Sequence, residues 1–102
     1  MSLATVNKLY QELTTAAQTM AKESAPVSMI TAFNTDLAHA QHRYPQHPIL
    51  STMTQAQAQI PILDLLTRTG RLQTVLEEEE NKELAQKNRI RHQARRDQFR
   101  SG

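Results

Sequence analysis

The residues of this chain that could do chemistry lie in two stretches, a histidine-containing segment and a charged C-terminal run. In the first stretch, His39 stands three residues from both Asp36 and His42, so each pair could share a helix face. Asp36 and His42, however, would lie about 9 Å apart along a helix axis, too far to share one ion directly. With His47 the group has no recognised metal-ligand spacing, so we interpret these histidines as surface residues and predict no metal site.

The charged run separates into an acidic block and a basic block. Glu77, Glu78, Glu79, Glu80 and Glu83 come first, and they are followed by Lys87, Arg89, Arg91, Arg95, Arg96 and Arg100. Arginines on a helix can neutralise phosphates or contact an acidic protein surface. Charge blocks of this kind are most often solvated tails. Three interpretations therefore stay open, in this order: a solvated helix end, an acidic protein partner, and nucleic acid.

The sequence contains none of the common enzyme motifs. The chain has no cysteine, which excludes a thiol nucleophile and a disulfide. Its only glycines are Gly70 and Gly102, so it has no glycine-rich phosphate loop. The G-x-S-x-G motif of serine hydrolases is absent as well. The sequence predicts a protein that is not an enzyme and that carries no cofactor.

The composition indicates one small domain with an aliphatic core. The chain has 102 residues, of which 38% are hydrophobic and 4% aromatic. A core this small is often completed by a partner or a second copy. The N-terminal residues lack the pattern of a signal peptide, and the longest apolar stretch is far shorter than the roughly 20 residues that span a bilayer. We therefore expect a soluble, cytoplasmic protein.

Apolar residues at alternating spacings of three and four predict two helices in the first half of the chain. Helix A covers residues 2–22 and helix B covers residues 27–43. The short connection between them, which contains Pro26, favours an antiparallel αα-hairpin. The residues that form the two seams are Leu3, Val6, Tyr10, Leu13, Ala17 and Met20 on helix A, and Ile30, Phe33, Leu37, Ala40 and Tyr44 on helix B.

The stretch from Ile49 to Leu76 contains the densest apolar cluster, with Pro61 at its centre. A proline disfavours helix geometry in the residue before it, so we expect one helix to end and another to begin there. The first, helix C, covers 49–59 with a stripe of Ile49, Met53, Ala56 and Ile60. The second, helix D, keeps its stripe in phase across Gly70, so we expect it to be continuous. That stripe consists of Ile62, Leu65, Leu66, Thr69, Leu72 and Leu76.

These patterns predict an all-α fold: a small helical bundle built on the αα-hairpin, with a long C-terminal helix whose charged second half projects. We divide the chain into a bundle domain, 1–76, and a charged helical extension, 77–102. The predicted function is that of a non-catalytic protein–protein interaction module, such as an adaptor, a secretion-type chaperone or an assembly subunit. The residues expected to bind the partner are Leu65, Leu66, Leu72, Leu76, Arg89, Arg91, Arg95, Arg96 and Arg100.

Two other functional interpretations remain open. A small nucleic-acid-associated protein would contact phosphates through Lys87, Arg89, Arg91, Arg95, Arg96 and Arg100, with little base specificity because aromatic residues are scarce there. Alternatively, the seams of helices A and B could pair across a two-fold axis to form a homo-oligomer. A protein partner or a second copy is thus expected, with nucleic acid as the alternative.

Overall fold

The computed structural model consists of three α-helices and one short 3-10 helix. It describes the backbone of residues 2–100 and the side chains of residues 3–86. The all-α prediction is confirmed, and the described residues include no strand. The first two helices closely match the predicted ranges 2–22 and 27–43, while the hairpin and the division at residue 76 stay predictions. The elements are α1 (Ser2–Met20), α2 (Val27–Arg43), a 3-10 helix (Leu50–Thr52) and α3 (Ile62–Arg100).

The helix α3 is the longest element and lies antiparallel to α1. Its 39 residues extend over about 58 Å at 1.5 Å per residue. Near its start, the backbone N–H of Leu63 donates a hydrogen bond of 3.0 Å to the carbonyl of Ala21. Further along, Gln73 Nε2 donates to Asn7 Oδ1 at 2.7 Å. The start of α3 therefore lies beside the end of α1, and the first turns of α1 lie beside the middle of α3.

Gly70 lies inside α3 and does not end it, so the predicted continuity of helix D is confirmed. A Cβ atom at this position would stand 3.1 Å from Cε2 of Tyr10 on α1. That separation is shorter than ordinary van der Waals contact between carbons. The absence of a side chain therefore lets the tyrosine ring lie close to the backbone of α3.

The predicted helix C over residues 49–59 is wrong. Within that range the structure contains only the 3-10 helix, and the chain is irregular from Met53 to the start of α3. Gln59 even has a positive φ of 68°, which is a left-handed conformation that does not belong in an α-helix. The apolar spacing was real, since Ala56 and Ile60 are buried, but it does not arise from helical geometry here.

Side-chain amides of α2 hold the irregular segment in place. Asn34 Oδ1 accepts the backbone N–H of Ala56 at 2.7 Å, and Asn34 Nδ2 donates to the carbonyl of Ala56 at 3.3 Å. Gln41 Nε2 donates to the carbonyls of Leu50 and Met53 at 2.8 and 2.9 Å. These bonds satisfy backbone groups that a helix would otherwise pair internally, so Ala56 can be buried without helical structure.

Backbone hydrogen bonds join the α1–α2 connection to the beginning of α3. The N–H of Ala25 donates to the carbonyl of Ile60 at 2.7 Å, and the N–H of Ile62 donates to the carbonyl of Glu23 at 2.8 Å. The first of these bonds brings together the two ends of the segment formed by residues 26–59. The start of α3 is thereby fixed against the rest of the chain.

All three α-helices and the irregular segment contribute to one hydrophobic core. Phe33 is the largest fully buried side chain. Leu13 and Leu37, one from each predicted seam, are 0% and 1% exposed. A single chain therefore covers both seam leucines, which leaves neither of them available for the two-fold pairing considered from the sequence.

Asp36 is a buried carboxyl group on α2. It is 7% exposed, and Thr5 Oγ1 donates a hydrogen bond of 3.0 Å to its Oδ1. Burial raises the pKa of Asp36 above its ordinary value of 3.8, and the Thr5 hydrogen bond and nearby His39 only partly oppose that effect. The folded protein therefore holds a proton on this group more tightly than the unfolded chain does.

Replacing Asp36 with asparagine is expected to increase stability at neutral pH and to reduce its dependence on pH. Because the folded-state pKa is raised, the contribution of Asp36 to stability is complete below 3.8 and is lost as the pH rises through the raised value. The asparagine side chain of the variant has no such titration and still accepts a hydrogen bond from Thr5. Urea denaturation of both proteins between acidic and neutral pH measures this effect. Parallel pH profiles for the two proteins would contradict it.

Candidate interaction surface

The four leucines expected to contact a partner lie on the inner side of α3. Leu65, Leu72 and Leu76 are 0%, 1% and 2% exposed, and Leu66 is half-buried against the core. This stripe is apolar because the other elements of the same chain pack on it. The chain therefore covers these leucines itself, and a surface open to a partner has to lie elsewhere.

The six basic residues that were predicted to bind a partner or nucleic acid belong to the last turns of α3. The helix continues through them to Arg100. Their side chains lie outside the described residues, so the roles assigned to them from the sequence stay predictions. The set consists of Lys87, Arg89, Arg91, Arg95, Arg96 and Arg100.

One face of α3 is covered by α1 in its first half and uncovered further along. Gly70 lies against Tyr10, and Gln73 contacts Asn7. These pairs advance along the two helices in opposite directions, so the first residue of α1, Ser2, is level with about residue 78 of α3. Beyond that level, α1 no longer covers this face.

Leu84 lies on this uncovered face. Steps of three and four residues lead from Gly70 and Gln73 through Glu77 and Glu80 to Leu84, which places all five positions on one side of the helix. Leu84 stands about 9 Å beyond the level of Ser2, and it is 58% exposed. We call this surface, formed by Glu77, Glu80 and Leu84, the distal face.

An adjacent side of α3 is anchored to the end of α2 by Glu83. The hydroxyl of Tyr44 donates to Glu83 Oε1 and Arg43 Nη2 donates to Glu83 Oε2, each at 3.0 Å. Burial and this hydrogen bond to a carboxylate raise the pKa of Tyr44 above its ordinary value of 10.0, so the hydroxyl stays protonated and continues to donate. None of the interpretations drawn from the sequence placed Glu83 against α2, so this contact was missed.

His47 provides a second anchor. It contacts Glu79, which lies one turn before Glu83 on α3. Its Nδ1 accepts the backbone N–H groups of Ile49 and Leu50 at 3.1 and 3.3 Å. The other ring nitrogen, Nε2, lies 3.2 Å from Glu79 Oε1. The side chains of His47 and Glu79 are only 10% and 18% exposed.

The interpretation of His47 as a surface histidine is therefore wrong. The ring caps the 3-10 helix from three residues before Leu50, as a serine or asparagine side chain caps an α-helix. That local spacing, together with the flanking Pro45 and Pro48, is the signal in the sequence that could have revealed it. Its second contact, with Glu79, leaves no local signal.

A shallow cavity lies between the irregular segment and α3. Its volume is about 190 Å³. At its rim, Arg68 Nη1 donates a long hydrogen bond of 3.4 Å to the carbonyl of Thr54. The cavity combines two guanidinium groups with hydroxyls but contains no carboxylate or histidine to act as a base. The residues that line it are Thr52, Met53, Thr54, Arg68 and Arg71.

The part of the chain that the structure describes contains neither a metal-binding cluster nor a membrane-spanning helix. Among its residues, no three histidine or acidic side chains come together to hold a metal ion. None of the helices in that part combines the length and the apolar character needed to cross a bilayer.

Comparisons of the chain with protein-family models, with curated proteins and with solved structures find no match in any of the three.

Proposed function

We propose that this protein is a non-catalytic helical interaction module whose docking element is the part of α3 that extends beyond the core. The observation that carries the proposal is the length of α3 relative to its packing. Leu76 is its last buried apolar residue among the described side chains, yet the helix continues for 24 more residues. In proteins, helices gain most of their stability from packing of an apolar face. A long charged helix beyond its own core is therefore well suited to packing against a partner.

The anchors on the adjacent side of α3 support this proposal. His47 holds Glu79, and Tyr44 and Arg43 hold Glu83, so the helix leaves the core in a fixed direction. A rigid, preorganised element loses less conformational entropy on binding than a flexible tail does. The distal face is thus presented at a defined position relative to the core.

In this mechanism the apolar and charged residues have separate roles. Leu84 supplies the exposed apolar contact near the middle of the docking element, where binding energy is usually concentrated. Arg89, Arg91, Arg95, Arg96 and Arg100 attract an acidic surface and set the rate of encounter. Leu65, Leu66, Leu72 and Leu76 act indirectly, since they fix α3 to the core. Such a module would serve as an adaptor, a secretion-type chaperone or an assembly subunit in the cytoplasm.

Site-specific photo-crosslinking tests this function. A benzophenone amino acid is placed at Leu84 in one variant and at Gln18, an exposed residue of α1, in a matched control. Irradiation of cells that produce the full chain is expected to yield a discrete protein–protein product at position 84 and none at position 18. No product at position 84, or the same products at both positions, would contradict the proposal.

The basic block favours nucleic acid as a second candidate. Six lysine and arginine residues fall between positions 87 and 100, a density suited to phosphate contacts. Changing all six to glutamine is expected to abolish salt-sensitive binding of single-stranded DNA and RNA, measured by fluorescence anisotropy. Equal binding by this variant and the parent, or no binding by the parent, removes the candidate.

A further inference from the structure

We propose that the distal face of α3 binds the same face of a second copy of this chain, in antiparallel orientation and with Leu84 at the centre. The inference rests on the proposed function and identifies its partner. It comes from the order of charges along one side of α3, which is self-complementary.

Positions 77, 80, 84, 87 and 91 form one stripe on α3, because they are separated by alternating steps of three and four residues. Two acidic residues, Glu77 and Glu80, precede Leu84 on this stripe, and two basic residues, Lys87 and Arg91, follow it. The stripe continues the positions of Gly70 and Gln73, where α3 packs against α1. It is therefore an extension of a face that already accommodates a helix.

An antiparallel pair of α3 helices centred on Leu84 brings opposite charges together. The position seven residues before the centre then faces the position seven residues after it, which sets Glu77 against Arg91. Glu80, four residues before the centre, lies within one residue, or about 1.5 Å along the axis, of Lys87, which is three residues after the centre of the second copy. The two-fold axis repeats both pairs, and Leu84 meets Leu84 of the second copy.

The same stripe disfavours the other arrangements. A parallel pair would set each glutamate against a glutamate, and like charges in register repel. A nucleic acid lying along the stripe would meet Glu77 and Glu80, whose charges repel phosphate. Of these three arrangements, the antiparallel pair alone brings opposite charges together along both halves of the stripe.

The described part of the structure leaves room for a second helix at this place. Glu77 and Leu84 are exposed, Glu80 is half-buried, and neither glutamate forms an ion pair with any side chain of residues 3–86. Lys82 pairs with Glu79 at 3.3 Å, away from the stripe. The overlap from position 77 to position 91 extends over about 21 Å of helix, from near the level where α1 begins.

The expected association is weak and salt-dependent. Exposed ion pairs are individually weak, and one pair of leucines adds a limited apolar area. Salt at about 1 M shortens the Debye length to about 3 Å and so screens the four charge pairs. The affinity should therefore fall at least about tenfold between low salt and that concentration.

Sedimentation equilibrium of the full chain, over a range of protein and salt concentrations, tests the inference. The parent is expected to form a dimer at low salt. The variants Glu77→Lys/Glu80→Lys and Lys87→Glu/Arg91→Glu should each weaken self-association at least about tenfold, because like charges then meet. An equimolar mixture of the two variants should restore the dimer mass, since every pair is again of opposite charge. That recovery also shows that both variants are folded.

Three results would overturn the inference: a parent that stays monomeric at low salt, a dimer unaffected by either charge reversal, or two variants that fail to associate with each other. The proposed function can be correct even if this inference about the partner is wrong. Crosslinking at position 84 to a different protein, with a monomeric parent, keeps the interaction module but excludes the second copy as its partner. No crosslinking and no dimer would remove both.

Discussion

Replacing Leu72 with alanine is expected to lower the free energy of unfolding by about 2–5 kcal/mol, the usual cost of truncating a fully buried leucine. Leu72 is 1% exposed and belongs to the core. Its removal leaves a cavity that the neighbouring helices cannot fill completely. If Leu72 instead faced a partner, as the sequence suggested, the isolated chain would be little affected by the change.

The matched control is Leu84→Ala, which removes the same atoms from an exposed position of the same helix. Because Leu84 is 58% exposed, its truncation should change the free energy of unfolding by no more than about 0.5 kcal/mol. Urea denaturation followed by far-ultraviolet circular dichroism measures both variants. Equal losses of stability would contradict the division of α3 into a core part and a docking part.

Replacing Asn34 with alanine is expected to lower the free energy of unfolding by about 1–3 kcal/mol, because it leaves buried backbone groups of Ala56 without partners. Asn34 satisfies both the N–H and the carbonyl of Ala56, which is 7% exposed. The irregular segment should detach from α2 at this point. Hydrogen exchange of the Ala56 amide should become faster as a result.

The variant Asn34→Asp separates the two hydrogen bonds of this contact. Aspartate keeps the oxygen that accepts the N–H of Ala56 at 2.7 Å, and it loses the donor to the carbonyl. Amide protection at Ala56 should therefore persist in the aspartate variant and be lost in the alanine variant. Slow exchange at Ala56 in both variants would show that Asn34 does not hold the segment.

The helices were predictable because their apolar periodicity matches their burial. The seam of α2 is an example: Ile30, Phe33, Leu37 and Ala40 are all buried. On α1 the seam was slightly misplaced, since Leu9 is 4% exposed whereas Tyr10, which was assigned to the seam, is half-buried against α3. The apolar pattern predicts which residues of a helix face the core to within about one position. Tertiary contacts determine which of the neighbouring residues is buried.

The segment between α2 and α3 was not predictable because distant residues determine its structure. Asn34 and Ala56 are 22 residues apart, and no local spacing connects them. Without that contact, the spacing of Ile49, Met53, Ala56 and Ile60 resembles a helical stripe. Tertiary hydrogen bonds here override the helical pattern. A short helix is only marginally stable by itself, so such contacts can readily replace it.

The distal face was missed for a related reason. The sequence offered Leu84, Ile90 and Phe99 as the apolar residues of the tail, and these do not share one side of a helix. Only the contacts of Gly70 with Tyr10 and of Gln73 with Asn7 show which side of α3 receives a helix. Once that side is known, the residues on it show acidic charges before Leu84 and basic charges after it.

The hydrogen bonds that join Ala25 to Ile60 and Glu23 to Ile62 connect parts of the chain that are far apart in the sequence. They close a loop that contains all of α2. The contacts between α1 and α3 join residues even further apart in the sequence, such as Asn7 and Gln73, which are separated by 66 residues. Closing such a loop has an entropic cost before the contacts that compensate for it can form. A three-helix chain with only neighbouring contacts would avoid that cost, so this protein should fold more slowly than its helical content suggests.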